Sequence, residues 1–151
     1  MKLSYLIVTV LFCVLMAACT KDKYTTSPKL ELKSINGDAF PNQALLSFKF
    51  DVTDKEGDIQ DTMWVQKISL TCPDQNLGWP GAYKIPDFTA GKNLKAELDV
   101  NYCYNCSVSS YPIISGCQQR DDSCYFKFWM KDKAGNLSDT VTTATIKLLN
   151  N

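Results

Sequence analysis

Hydrophobic alternation with a period of two runs through this chain and constrains its fold more than any other feature. Ala44, Leu46, Phe48, Phe50 and Val52 are apolar, and Ser47, Lys49 and Asp51 between them are polar. Trp64, Ile68, Leu70 and Cys72 share one parity, with Lys67, Ser69 and Thr71 on the other. Leu94, Ala96, Leu98 and Val100 alternate with Lys95, Glu97 and Asp99, while Phe126, Phe128 and Met130 oppose Lys127 and Lys131. Successive side chains of a strand point to opposite faces, so such runs predict strands with one buried face and one wet face. Adding the flanking and weaker segments, strands are expected at 30–35, 44–53, 63–72, 82–86, 93–101, 124–132 and 140–149. Gly, Pro, Asn and Asp clusters separate them, and no helical period appears after the N-terminal apolar run. The pattern predicts an all-β fold, an antiparallel seven-stranded sandwich, with an insert at 102–123 too long for a simple turn.

The N-terminus reads differently. Lys2 precedes an apolar run from Leu3 to Met16, interrupted only by Ser4 and Thr9. A spanning helix needs about 20 apolar residues, so this shorter run next to small residues reads as an export signal. It ends Leu15-Met16-Ala17-Ala18-Cys19, with slim side chains just before the cysteine. That segment resembles the lipobox of bacterial lipoproteins, with Met16 where Leu is usual. The resemblance implies that residues 1–18 are a signal peptide and that Cys19 becomes the lipid-bearing first residue. Ordinary secretion with Cys19 as a plain thiol is the alternative. A single acyl chain anchors only marginally, a condition that a triacylated cysteine overcomes. Residues 19–29 then form a lipidated polar tether containing Pro28, and 30–151 a single domain. The expected place is the cell envelope, on the outer membrane, facing the periplasm or the surface.

The charge balance narrows the partners. Sixteen basic residues match sixteen acidic ones, and no histidine is present. Nucleic acid therefore lacks its electrostatic driver. The commonest general base and metal ligand is also missing.

Four phrases carry a family resemblance: Phe50-Asp51-Val52-Thr53-Asp54-Lys55-Glu56-Gly57-Asp58-Ile59, Tyr83-Lys84-Ile85-Pro86, Leu94-Lys95-Ala96-Glu97-Leu98 and Lys131-Asp132-Lys133-Ala134-Gly135-Asn136-Leu137-Ser138. In order and spacing they resemble small lipoproteins of Bacteroidota. Those carry an acidic glycine loop after the second strand and a D-x-AGN-x-S phrase near the end. The resemblance spans most of 44–149 and implies a lipid-anchored module of the immunoglobulin-like or fibronectin-like kind. It names no activity. Lys55-Glu56 within the first loop and the cysteine-bearing insert depart from the family pattern.

Three residue sets could carry chemistry. In an immunoglobulin-like topology the loop after the second strand and the turn after the sixth lie at the same end. Asp54, Glu56, Asp58 and Asp132 would then converge, with the Asn136 amide nearby. Several carboxylates and an amide suit a hard cation, and calcium is the expected one. The competing reading is that both phrases are plain turns, with Gly57 and Gly135 at positive φ. The second set is Cys72, Cys103, Cys106, Cys117 and Cys124. Outside the cytoplasm disulfides are the default. The ends of neighbouring strands suggest Cys72–Cys124, with Cys103 or Cys106 closing onto Cys117 and one thiol left over. A zinc site on Cys103, Cys106, Cys117 and Cys124 is the alternative. The third set is Trp79, Tyr83, Tyr102, Tyr104 and Tyr111, read as loop aromatics that either cap the core or form a ligand platform. Trp64 reads as core.

Together these features predict a non-enzymatic, lipid-anchored binding or adhesion module. Its partners would be the membrane through Cys19 and a protein or glycan ligand. A structural accessory subunit of an outer-membrane complex is the alternative. A small hydrolase using two carboxylates is disfavoured, because acids in turns are poorly placed to have their pKa values raised.

Overall fold

The computed structural model describes residues 24–76 and 81–150. The predicted signal peptide, Cys19 and Trp79 lie outside the described residues. Ten strands form where alternation predicts seven: β1 (Lys29–Ile35), β2 (Ala39–Phe40), β3 (Leu45–Asp54), β4 (Thr62–Ser69), β5 (Gly81–Lys84), β6 (Leu94–Tyr104), β7 (Ile113–Ile114), β8 (Asp122–Lys131), β9 (Val141–Thr142) and β10 (Ile146–Leu148). No α-helix occurs among the described residues, and none is long and apolar enough to cross a membrane. One sheet has the order β1-β3-β6-β7. The other runs β2-β10-β8-β4-β5, with β9 also paired to β8.

Both sheets are mixed rather than purely antiparallel. β7 runs parallel to β6, and β2 parallel to β10. The predicted strand at 140–149 is split in two. Between its halves, Thr143 Oγ1 accepts the Phe126 amide at 3.0 Å while its own N–H donates to Phe126 O at 2.9 Å. A side chain here takes over part of the ladder, which interrupts regular pairing.

The core follows the alternation on β3 and β8. Leu46, Phe48, Phe50 and Val52 from one sheet meet Phe126, Phe128 and Met130 from the other, all fully buried. The Phe48 ring centroid lies 5.0 Å from those of both Phe126 and Phe128, and Phe50 lies 4.8 Å from Phe128. Each such burial contributes roughly 1.5–3 kcal/mol. These contacts lock β3 against β8 across the core and so fix where the following loops emerge.

On β4 the parity is the reverse of the expected one. Met63, Val65, Lys67 and Ser69 face inward, Trp64 and Ile68 are half-buried on the outer face, and Leu70 is exposed. The register explains this, because Met63 pairs with Met130 and Val65 with Phe128. Trp64 instead pairs with Trp129, their rings 6.1 Å apart and nearly parallel, and Lys131 Nζ sits 5.9 Å from the Trp64 ring. Two polar residues can occupy the core face because Asp122 receives them. Lys67 Nζ lies 2.6 Å from Asp122 Oδ2 and donates to Ser115 O at 2.6 Å, and Ser69 Oγ donates to Asp122 Oδ1 at 2.5 Å.

The insert is partly strand. β6 continues to Tyr104, and β7 returns beside its last two residues. Tyr102 and Tyr104 are fully buried rather than loop platforms, Tyr83 is half-buried against Tyr102, and Tyr111 is exposed. The cysteines pair as Cys72–Cys117 and Cys103–Cys106, and Cys124 is a buried free thiol. The expected Cys72–Cys124 bridge does not form. Cys124 sits opposite Ser69 in the β4–β8 ladder, pointing into the core. Cys72 lies past the end of β4, beyond a turn held by Cys72 N donating to Ser69 Oγ. That turn carries its sulfur toward the insert, where Cys117 waits.

Candidate metal centre

The two acidic loops meet. Asp54 ends β3 and Asp132 follows β8, and Lys133 N donates to Asp58 O at 2.9 Å across the gap. Each loop is wound around its own aspartate. Asp54 Oδ2 accepts the amides of Gly57 at 2.5 Å and Asp58 at 3.4 Å. Asp132 Oδ1 accepts the Asn136 amide at 2.7 Å, and its Oδ2 accepts Asn136 Nδ2 at 2.8 Å. Gly57 and Gly135 have φ values of 79° and 92°, as the turn reading requires. At Gly57 a Cβ would also collide with the carbonyl oxygen of Gly91. The turns and the acid cluster are therefore one construction.

One carboxylate oxygen from each of Asp54, Asp58 and Asp132 lies within 4.8 Å of the other two. Asp54 and Asp132 are completely buried and Asp58 is half-buried. Asp54 Oδ1 and Asp58 Oδ1 are buried without any hydrogen-bond partner. Among the described residues none of the ion pairs includes these three acids. Burial pushes the Asp54 carboxyl above its ordinary pKa, its hydrogen bonds from Gly57 and Asp58 acting in the other direction. Two unit charges 4.8 Å apart repel by roughly 3.5 kcal/mol at an effective dielectric constant of about 20. A divalent cation among the three would reverse that repulsion and give the two bare oxygens a partner. The donors are all hard oxygens, which suits calcium and gives zinc no thiolate or imidazole.

The expected set of four ligands is reduced to three. Glu56 is exposed, on the outside of the loop whose inner side holds Asp54 and Asp58. Asp61 is drawn away to Lys131 at 3.2 Å and to Thr62 Oγ1 at 2.8 Å, and Asp51 lies 3.3 Å from Lys33 Nζ. Asn136 is taken up as a donor to Asp132, a role that spacing alone does not show.

The thiols do not assemble a zinc site. Cys103 and Cys106 are bonded to each other, Cys117 is bonded to Cys72, and Cys124 lies in the core. Asp122, near Cys72 and Cys117, is committed to Lys67 and Ser69. Burial, reinforced by the nearby Asp122 charge, raises the Cys124 thiol to about 12. A separate groove of about 170 Å³ opens between the two sheets, lined by Met63, Tyr83, Ile85, Leu98, Val100 and Tyr102, with Asp99 as its single carboxylate.

No protein-family model, no curated protein and no solved structure matches this chain.

Proposed function

We propose that this chain is a lipid-anchored module of the bacterial cell envelope, an immunoglobulin-like sandwich that holds calcium at one pole and presents the rest of its surface to a protein or glycan ligand. The observation that carries the calcium part is the pair of buried oxygens, Asp54 Oδ1 and Asp58 Oδ1, with no donor and no counter-cation beside Asp132. Anchoring rests on Leu15-Met16-Ala17-Ala18-Cys19. The immunoglobulin-like reading is supported by the strand order, β1-β3-β6 facing β5-β4-β8-β10, which follows the usual A-B-E and C-F-G pairing.

The anchor and the metal are tested separately. Cys19→Ser should abolish the incorporation of labelled fatty acid and leave the signal peptide uncut; unchanged labelling and processing would remove the lipid from the account. Millimolar calcium should raise the melting temperature and a chelator should reverse it. Exported modules bind calcium at roughly 10⁻⁴ to 10⁻³ M, so 1 mM calcium adds about 0.4–1.4 kcal/mol of stability.

A second reading, as an accessory subunit of an envelope complex, is favoured by one observation. Val108, Tyr111 and Ile113 of the insert are 92%, 45% and 47% exposed. They follow the end of β6 that lies away from the acidic pole. Purification of the protein with a stoichiometric envelope partner would support this reading over free display.

A further inference from the structure

The chain enters the sandwich at the acidic pole. Thr25 O accepts the Lys55 amide at 3.1 Å, and Thr26 O accepts Asn136 Nδ2 at 3.4 Å. Lys55 directly follows Asp54, the central acid of the first loop. Asn136 is clasped to Asp132 through both its amide and its side chain, at 2.7 and 2.8 Å. So each of the two loops that supply the carboxylates also holds one carbonyl of the segment leading into β1. Thr25, Thr26 and Ser27 are exposed, and the next residue, Pro28, is buried before β1 starts at Lys29. These two hydrogen bonds therefore fix an otherwise solvent-facing stretch to the pole.

We propose that the divalent cation held by Asp54, Asp58 and Asp132 clamps the incoming chain to the sandwich, so that its occupancy sets the direction in which the domain stands on its anchor. The inference rests on the calcium reading above and goes beyond it. With the cation bound, the three carboxylates draw together, the two loops keep their spacing, and Lys55 N and Asn136 Nδ2 remain aligned on Thr25 and Thr26. With it removed, like charges push the loops apart, the two donors separate from Thr25 and Thr26, and the exposed stretch 25–27 gains mobility. Thr25 lies six positions after Cys19, at most on the order of 20 Å of extended chain. A change in the last turn before β1 therefore becomes a change in how the domain is oriented over the anchor.

The test uses the full lipidated protein in detergent micelles, carrying a nitroxide at Ser27→Cys. Cys124 is buried and the other described cysteines are bonded, so labelling is confined to the new thiol. Calcium binding is followed on the same sample by titration calorimetry, and label mobility by electron paramagnetic resonance. The expected result is loss of the sharp, mobile spectral component as calcium saturates and its return with chelator. Asp58→Asn, at the half-buried member of the cluster, should weaken binding and shift the mobility transition to the same higher calcium concentration. Binding without any change at the label overturns the clamp and leaves the metal site standing. No binding at 10-fold molar excess and at millimolar calcium, in a protein with a native near-ultraviolet spectrum, overturns the metal site and the clamp with it.

Discussion

Replacing Cys72 and Cys117 together by alanine removes a cross-link between residues 45 apart in the chain. In the chain-entropy treatment, a loop of that length lowers the entropy of the unfolded state by an amount worth about 4 kcal/mol at 25 °C. The same expression for Cys103–Cys106, separated by 3 residues, gives about 1.6 kcal/mol. Alanine at 72 and 117 leaves no new polar group in positions that are each 4% exposed. Ser69 Oγ also keeps its bond from the residue 72 amide, so the local turn persists and the loss reports the cross-link. Urea unfolding followed by tryptophan fluorescence should show the 72/117 pair losing about 4 kcal/mol, with a melting temperature roughly 10–20 °C lower, and the 103/106 pair losing less than half as much. Equal losses would refute the reasoning. So would a Cys72–Cys124 peptide in a digest of the unreduced protein.

Further outcomes are expected elsewhere. Lys67→Ala leaves Asp122 buried without its cation and should cost about 3–5 kcal/mol, whereas Lys67→Met with Asp122→Leu should recover most of it in the same chemical denaturation assay. Phe48→Ala removes the ring that meets Tyr102, Phe126 and Phe128 and should cost about 3–5 kcal/mol in urea unfolding. The Cys124 thiol is raised from 9.0 to about 12 in the fold. Below pH 9 both states keep the proton and stability is unaffected. From pH 9 toward 12 only the unfolded state releases it, so stability falls by on the order of 1.4 kcal/mol per pH unit. Tyr102 and Tyr104, also raised by burial, add their own losses above pH 10, so Cys124→Ala should flatten the decline chiefly between pH 9 and 10. Iodoacetamide at pH 8 should modify Cys124 only after denaturant is added.

The fold is legible in the sequence where one physical signal dominates. Phe48, Phe50, Phe126 and Phe128 alternate with charged or half-buried neighbours, and all four rings are buried against one another across the core. β4 departs from its expected parity because its outer face carries Trp64 and Ile68 while its inner face carries Lys67 and Ser69. Alternation sees polarity and not partners, and the partner that makes the inversion tolerable is Asp122, more than fifty residues away. Two-residue strands such as β2, β7 and β9 have no period to detect; they exist because a neighbouring edge offers hydrogen bonds. The convergence of Asp54, Asp58 and Asp132 is legible because their loops follow strands of the two facing sheets that end at the same pole. Glu56 was not separable from them, since which side of a tight loop a residue takes depends on the backbone turn at Gly57. The disulfide partners depended on how the insert folds back along β6, and spacing carries no signal for that.

The solitary thiol of Cys124 has a bearing on biogenesis. With five cysteines among the described residues, four joined and one left over, an oxidant acting on a nascent polypeptide would have many wrong couplings to choose from. Docked between β4 and β10, β8 shelters the fifth sulfur from solvent. Under oxidising conditions, a sheet that assembles before the bridges close would keep that sulfur out of the exchange, and slower assembly would surface as scrambled, mixed-disulfide species rather than as simple loss of protein.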